Sequence, residues 1–344
     1  MKIIEVLKDI DFQAEHNGYD SIADMHYKYR ITSLDKPIVI TFPPNRNDIN
    51  TDPTISPFNF DFLCKYDVNI ICFGVLGAHS DNYFMHPEFS QFIEKLGVAL
   101  KPFKARLGYA NSKGGFGIGA YAEALRLDYA ILFHPISTKK LDLVPWDNRP
   151  TTKEAQHLDW TKKYNDISLG NCKGYIIYDP ENKIDVMHAN RFKNFKHVKI
   201  NGFGHGTGYY FLAMNSNIIK EILSDFLYTQ EINIQNLRQK TKLLRLTSAY
   251  YKPLIKKKPN NKILLKSEKK LSILLNSPLI QKTMTSKNLN KDEVDNIRDA
   301  ALALEYIDLN KAMSLMKIAL KLRPGGIFIK NKIMFYQKKL DARK

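Results

Sequence analysis

The run Ala110-Asn111-Ser112-Lys113-Gly114-Gly115 places a serine hydroxyl between two small residues, one two positions before it and one two positions after. A strand-like stretch, Ala105–Tyr109, leads into it, and a small-residue helix with Ala120, Ala122 and Ala124 follows. A serine held on a sharp strand-to-helix turn needs such neighbours, because the backbone there folds tightly against itself. A hydroxyl presented in this way acts as a nucleophile when a base takes its proton. The N–H of Lys113 opens the helix, where the helix dipole and an unsatisfied donor can stabilise an oxyanion. His205, set between Gly204 and Gly206 in a loop, is poorly explained by packing and fits the general base. A glycine turn with an idle Ser112 is the alternative.

Gly115, Gly117 and Ala120 also satisfy a permissive dinucleotide fingerprint. That reading fails on two counts. The first glycine lies several residues past its strand, and the next strand, Tyr129–Phe133, runs into His134-Pro135 with no acidic residue to hold a ribose.

The turn resembles the nucleophile elbow of the α/β-hydrolase superfamily, Gly-x-Ser-x-Gly, with alanine at position 110 as a mild departure. The resemblance implies the chain order serine, acid, histidine, with the acid after a late strand. Two carboxylates follow the strand candidate Tyr175–Tyr178. Asp179 ends it directly, and Asp185 stands just before a helix expected to begin near His188, where the family's acid commonly lies. Asp185 is the first choice and Asp179 the alternative, with Asp179 otherwise capping the turn through Pro180. The family's second oxyanion donor comes from the loop after an early strand, here Pro43-Pro44-Asn45-Arg46. Prolines have no N–H, so Asn45 or Arg46 must donate. The resemblance implies serine-ester chemistry, as an esterase or an O-acyltransferase, with no cofactor and no metal. Within the superfamily, the chain resembles divergent hydrolase-like proteins encoded with bacterial capsule and surface-polysaccharide genes. The substrate implied is an acylated glycan or another ester. A non-catalytic assembly protein of a membrane-associated polysaccharide complex is the alternative.

The elements that must position these residues are legible as short apolar runs bounded by Gly, Pro, Asp or Asn. They are Tyr27–Ile31, Ile38–Phe42, Asn69–Phe73, Ala105–Tyr109, Tyr129–Phe133, Tyr175–Tyr178 and His197–Ile200. Helical stretches at Glu88–Leu96, Lys113–Leu125, His188–Phe195 and Tyr209–Leu227 alternate with them. This alternation predicts a three-layer, mostly parallel α/β fold. The polar segment Thr138–Cys172, with Trp146 and Trp160, reads as an insertion over one end of the sheet. Ala78–Asn82 reads as a loop turn, and His134-Pro135 with Ser137-Thr138 as a cleft wall.

Charge divides the chain. Residues 1–230 hold 26 Lys and Arg against 26 Asp and Glu, whereas residues 231–344 hold 26 against 9, which accounts for the net +17. We expect an α/β-hydrolase-like domain over 1–230, a basic amphipathic segment over 231–290 and a helical hairpin over 291–344. In the last, Ala312, Met316, Ala319 and Pro324 fall at spacings that resemble a tetratricopeptide repeat, a surface for a protein partner. The basic segment, with Tyr250, Tyr251 and Lys256–Lys258, fits an anionic membrane surface or an anionic polysaccharide. Nucleic acid is disfavoured, because no recognised binding motif accompanies the lysines. Three scattered cysteines suit reduced structural thiols, and the first residues do not form a signal peptide. The expected location is cytoplasmic, peripheral at the inner face of the membrane.

Overall fold

In the computed structural model the described residues are 2–9, 14–46, 48–200, 204–205, 218–244, 291–305 and 308–342. The main sheet has eight strands: β1 (His16–Ile22), β2 (Met25–Ile31), β3 (Ile38–Thr41), β4 (Asn69–Val75), β5 (Arg106–Asn111), β6 (Tyr129–Phe133), β7 (Lys173–Tyr178) and β8 (Phe195–Lys199). Their spatial order is β1-β2-β4-β3-β5-β6-β7-β8. β2 runs antiparallel to β1 and to β4, and every pairing from β4 to β8 is parallel. This is the mostly parallel α/β sheet that the sequence predicts. All seven expected strands are present, their ends shifted by at most two residues, and Tyr129–Phe133 matches at both ends.

β1 has no counterpart in the sequence-based expectation. Its sequence, HNGYDSI, carries no apolar alternation, because as an edge strand it is nowhere fully buried. The central strands are buried along their whole length, β3 and β4 without exception. One alternating set of their side chains (Ile38, Ile40, Phe42, Ile71, Phe73, Ala110, Leu132, Ile176) joins a single core with α1 (Lys2–Asp9) and α3 (Pro87–Ala99). The opposite set (Val39, Ile70, Cys72, Leu107, Tyr109, Ile131, Phe133) is buried as well. The sheet is therefore covered on both faces, which makes the fold three-layered. A one-turn helix, α2 (Phe60–Leu63), packs near β4.

Three short helices bear on the site. α4 (Lys113–Tyr121) is separated from β5 by Ser112 alone, and α5 (Pro150–Glu154) lies in the inserted segment. α6 (Lys183–Ala189) starts five residues before the expected helix near His188 and takes in Asp185. The reason is Asn182, whose side chain accepts a hydrogen bond from Asp185 N and so opens the helix early. The helix expected over Tyr209–Leu227 is described as α7 (Ile218–Thr229), its earlier part lying outside the described residues.

The chain splits into two compact units, 1–210 with 219–233, and 211–218 with 234–344. The second contains α8 (Ile234–Leu244), α9 (Lys291–Leu304), α10 (Leu309–Leu322) and α11 (Ile327–Asp341). Where a hairpin of two helices was expected, three are found, because Pro324-Gly325-Gly326 breaks the last stretch. Ala312, Met316 and Ala319 are buried together with Tyr336, and Asp308 caps α10 by accepting from Lys311 N at 3.0 Å. Most of the expected basic segment, residues 245–290, lies outside the described residues. Among the described residues, no helix is long and apolar enough to cross a membrane.

Candidate active site

Ser112 stands between the last residue of β5 and the first of α4, with φ 51° and ψ −120°. Residues with a side chain rarely adopt this backbone region, and the strain is held by what surrounds it. Ser112 N donates to Phe133 O at 3.0 Å, while its carbonyl accepts from Gly115 N at 2.9 Å and Ile136 N at 3.0 Å. The small neighbours meet a steric demand. A Cβ on Gly114 would lie far inside van der Waals contact of the Phe42 carbonyl and 3.2 Å from Ala110 Cβ. A Cβ on Gly117 would meet the Phe42 ring at 2.6 Å. The elbow thus seats backbone against backbone on the end of β3.

The strained turn aims the serine side chain at a histidine. Ser112 Oγ lies 2.9 Å from His205 Nε2, and His205 Nδ1 lies 2.7 Å from Asp185 Oδ1. A carboxylate only accepts, so Nδ1 carries the proton and Nε2 is left to accept from the serine hydroxyl. Asp185 is fully buried, and its other oxygen accepts from Asn182 Nδ2 at 2.8 Å. The His205 side chain is 30% exposed, so the chain of hydrogen bonds reaches solvent at its histidine. Asp179 does different work. Its Oδ2 accepts from Gly204 N at 2.7 Å and its Oδ1 from Glu181 N at 2.9 Å, tying the histidine's loop to the end of β7. Gly204 turns there at φ 65°, a conformation that favours glycine.

Lys113 occupies the first position of α4, so its N–H has no acceptor within the helix and is free to serve an oxyanion. Its side chain was missed in the sequence. It is wholly buried, donates from Nζ to His79 O at 2.6 Å, and lies 5.1 Å from the ring centres of both Tyr83 and Phe84. Burial pushes this ammonium down to about 7 against the weaker pull of Asp24 and Asp81. The lysine thereby anchors residues 79–84 to the elbow. Asn45 and Arg46 are exposed in the segment after β3, with Arg46 Nε paired to Asp48 at 2.7 Å.

His134, the expected cleft wall, is buried with its ring centre 4.7 Å from that of His205. Burial, then the nearby His205 and Arg149, holds it well below its ordinary value, so it faces His205 as a neutral ring. Ser137 and Thr138 are buried too. Nothing in the sequence pattern marks the charged cluster of Lys139, Asp147 and Arg149, which meets α6 at His188. A polar loop distant in sequence leaves no periodic signal.

No family model matches the chain, and no curated protein does, so the tetratricopeptide resemblance of the C-terminal helices stands on its sequence pattern alone. Among solved structures, the capsule O-acetyltransferase of Neisseria meningitidis serogroup A aligns at 14% identity and TM-score 0.40, over 59% of this chain and 94% of that one. A hyperthermophilic esterase from Pyrobaculum calidifontis aligns at 11% identity and TM-score 0.44, over 67% and 90%. A putative esterase from Staphylococcus aureus aligns at 14% identity and TM-score 0.42, over 67% and 92%. These likenesses leave the function to be argued from the site itself.

Proposed function

We propose that the chain performs acyl transfer through a serine ester. The observation that carries this reading is the hydrogen-bonded series Ser112 Oγ, His205, Asp185, mounted on a strained strand-to-helix turn. In the first step His205 Nε2 takes the hydroxyl proton while Ser112 Oγ bonds to the acyl carbon. The carbonyl oxygen then carries the negative charge, and the Lys113 N–H donates to it, with the Asn45 segment supplying a second donor. Asp185 holds the Nδ1 proton and stabilises the imidazolium. His205 returns its proton to the leaving oxygen, and the acyl group remains on Ser112. Water resolving this ester makes an esterase; a sugar hydroxyl makes an O-acyltransferase.

The substrate we infer is an acylated glycan, a bacterial surface polysaccharide or its precursor. We further propose that the division into 1–230, 231–290 and 291–344 separates this chemistry from attachment. In that division the basic segment contacts an anionic membrane or polysaccharide, and the C-terminal helices take a protein partner.

Labelling with a fluorophosphonate tests the reading. The parent should be labelled, and Ser112→Ala and His205→Ala should not. A folded parent that takes no Ser112-dependent label would favour the non-catalytic assembly role instead.

A further inference from the structure

The inserted segment carries a dense buried group of charges. Asp147 is 1% exposed and accepts from Arg149 Nε at 2.7 Å, Arg149 Nη2 at 2.6 Å, Lys139 Nζ at 3.2 Å and His188 Nε2 at 3.0 Å. On its other side His188 Nδ1 lies 3.1 Å from Ser137 N and 2.9 Å from Ser137 Oγ. A backbone N–H can only donate, so Nδ1 accepts, while Nε2 faces both Asp147 Oδ2 at 3.0 Å and Arg149 Nη2 at 2.7 Å. Ser137, His188 and Asp147 therefore mimic a second serine-histidine-aspartate relay. All three are buried, and Arg191 Nη1 also donates to the Ser137 hydroxyl at 3.1 Å, so this series serves as a strut with no access to substrate.

Arg149 connects the strut to the candidate site. Its Nη1 lies 3.6 Å from Asp185 Oδ1, the same oxygen that receives the His205 proton. Asp185 and His188 are three residues apart on α6, which places them on one face of the helix. The contacts close a circuit: Asp185 to Arg149, Arg149 to Asp147, Asp147 to His188, and His188 back to α6. An arginine suits this post because its planar fork can grip Asp147 with two donors and still present a third.

We propose that Arg149 is a positioning residue of the Ser112 site: gripped by Asp147, it holds the Asp185 carboxylate in line with His205 and sets a positive charge beside that pair. The inference rests on Ser112 being the nucleophile. The groups facing the pair are Ser112 from the elbow, His134 beyond β6, Asp179 beyond β7, Asn182 and His188 from α6, and Arg149 with Lys139 and Asp147 behind it. Tyr83 also feels the charge of Arg149.

The test is the second-order rate of inactivation of the full chain by a fluorophosphonate, followed from pH 5 to 9. For Arg149→Met the plateau rate should fall at least about tenfold, because the carboxylate that orients His205 loses its hold. For Arg149→Lys the plateau should fall several-fold, less than for methionine, because the charge remains while the fork is lost. A folded methionine variant with the parent's profile, or a lysine variant with the parent's plateau, overturns the proposal. Should the methionine variant not fold, Asp147→Asn frees the fork and keeps the charge of Arg149. A lowered plateau is then expected, and an unchanged one overturns the proposal. A parent with no Ser112-dependent labelling removes the serine reading and this inference together. A labelled parent whose Arg149 variants behave like it removes this inference alone.

Discussion

The backbone at Ser112 offers a measurement that separates strain from chemistry. Ser112→Ala and Ser112→Gly both delete the hydroxyl and its 2.9 Å bond to His205, so they differ only in how well they bear φ 51° and ψ −120°. Alanine keeps the cost of a side chain in that region, about 1–3 kcal/mol. Glycine removes it but gains freedom in the unfolded chain, which costs about 0.4–1 kcal/mol. The glycine variant should therefore be more stable than the alanine variant by about 1 kcal/mol. For a unit of about 200 residues this corresponds to about 2–4 °C in Tm. The chain suits the assay, because its two tryptophans, Trp146 and Trp160, both lie in the first compact unit. Intrinsic fluorescence thus follows unfolding of that unit alone. Neither variant should take the fluorophosphonate label. An alanine variant more stable than the glycine one by over about 0.5 kcal/mol would refute the claim that the turn stores strain for the nucleophile.

Other expectations concern the same neighbourhood. Gly114→Ala should destabilise the first unit by about 1–3 kcal/mol, because the new methyl meets the Phe42 backbone, which cannot move aside as a side chain can; unchanged thermal unfolding would contradict the close fit. Three buried histidines are depressed chiefly by burial, His79 and His188 to about 4 and His134 well below its usual value. The unfolded chain binds more protons than the folded one between about pH 4 and 6.5, so stability should fall as pH drops through that window. The slope should approach about 1.4 kcal/mol per pH unit for each histidine, measured by urea unfolding across the range. Lys113, lowered to about 7, has the complementary signature. Between about pH 7 and 8.5 the folded chain sheds its proton while the unfolded chain keeps it, so the parent should gain up to about 2 kcal/mol relative to Lys113→Met. A pH-independent difference between the two would show that Lys113 is charged throughout.

What could be read from the sequence was whatever local chemistry dictates. The elbow shows in Ala110, Ser112 and Gly114 because sterics act over two residues, and the buried strands show because each is a short apolar run. His205 stands out because two glycines flank it. The choice between Asp179 and Asp185 could not be made locally, since both follow the same strand. It is made in space, where Asp185 faces His205 Nδ1 and Asp179 faces Gly204 N. The start of α6 was misjudged because the cap at Asn182 outweighed the turn signal of Asp179-Pro180. β1 escaped notice because an edge strand needs no apolar pattern. Arg149 and Asp147 were invisible because their meaning depends on α6, a helix more than thirty residues further along the chain.

Asn182 joins two matters that are usually independent. Its Oδ1 accepts from Asp185 N, which begins a helix, and its Nδ2 donates to Asp185 Oδ2, which sets the carboxylate plane. Helix initiation and the orientation of the acid therefore share one side chain and are thermodynamically linked. Fraying of a single helical turn would disengage the acid while the sheet stayed intact. The competence of the site should consequently report on a local equilibrium of about 1–2 kcal/mol, well below that of the fold as a whole.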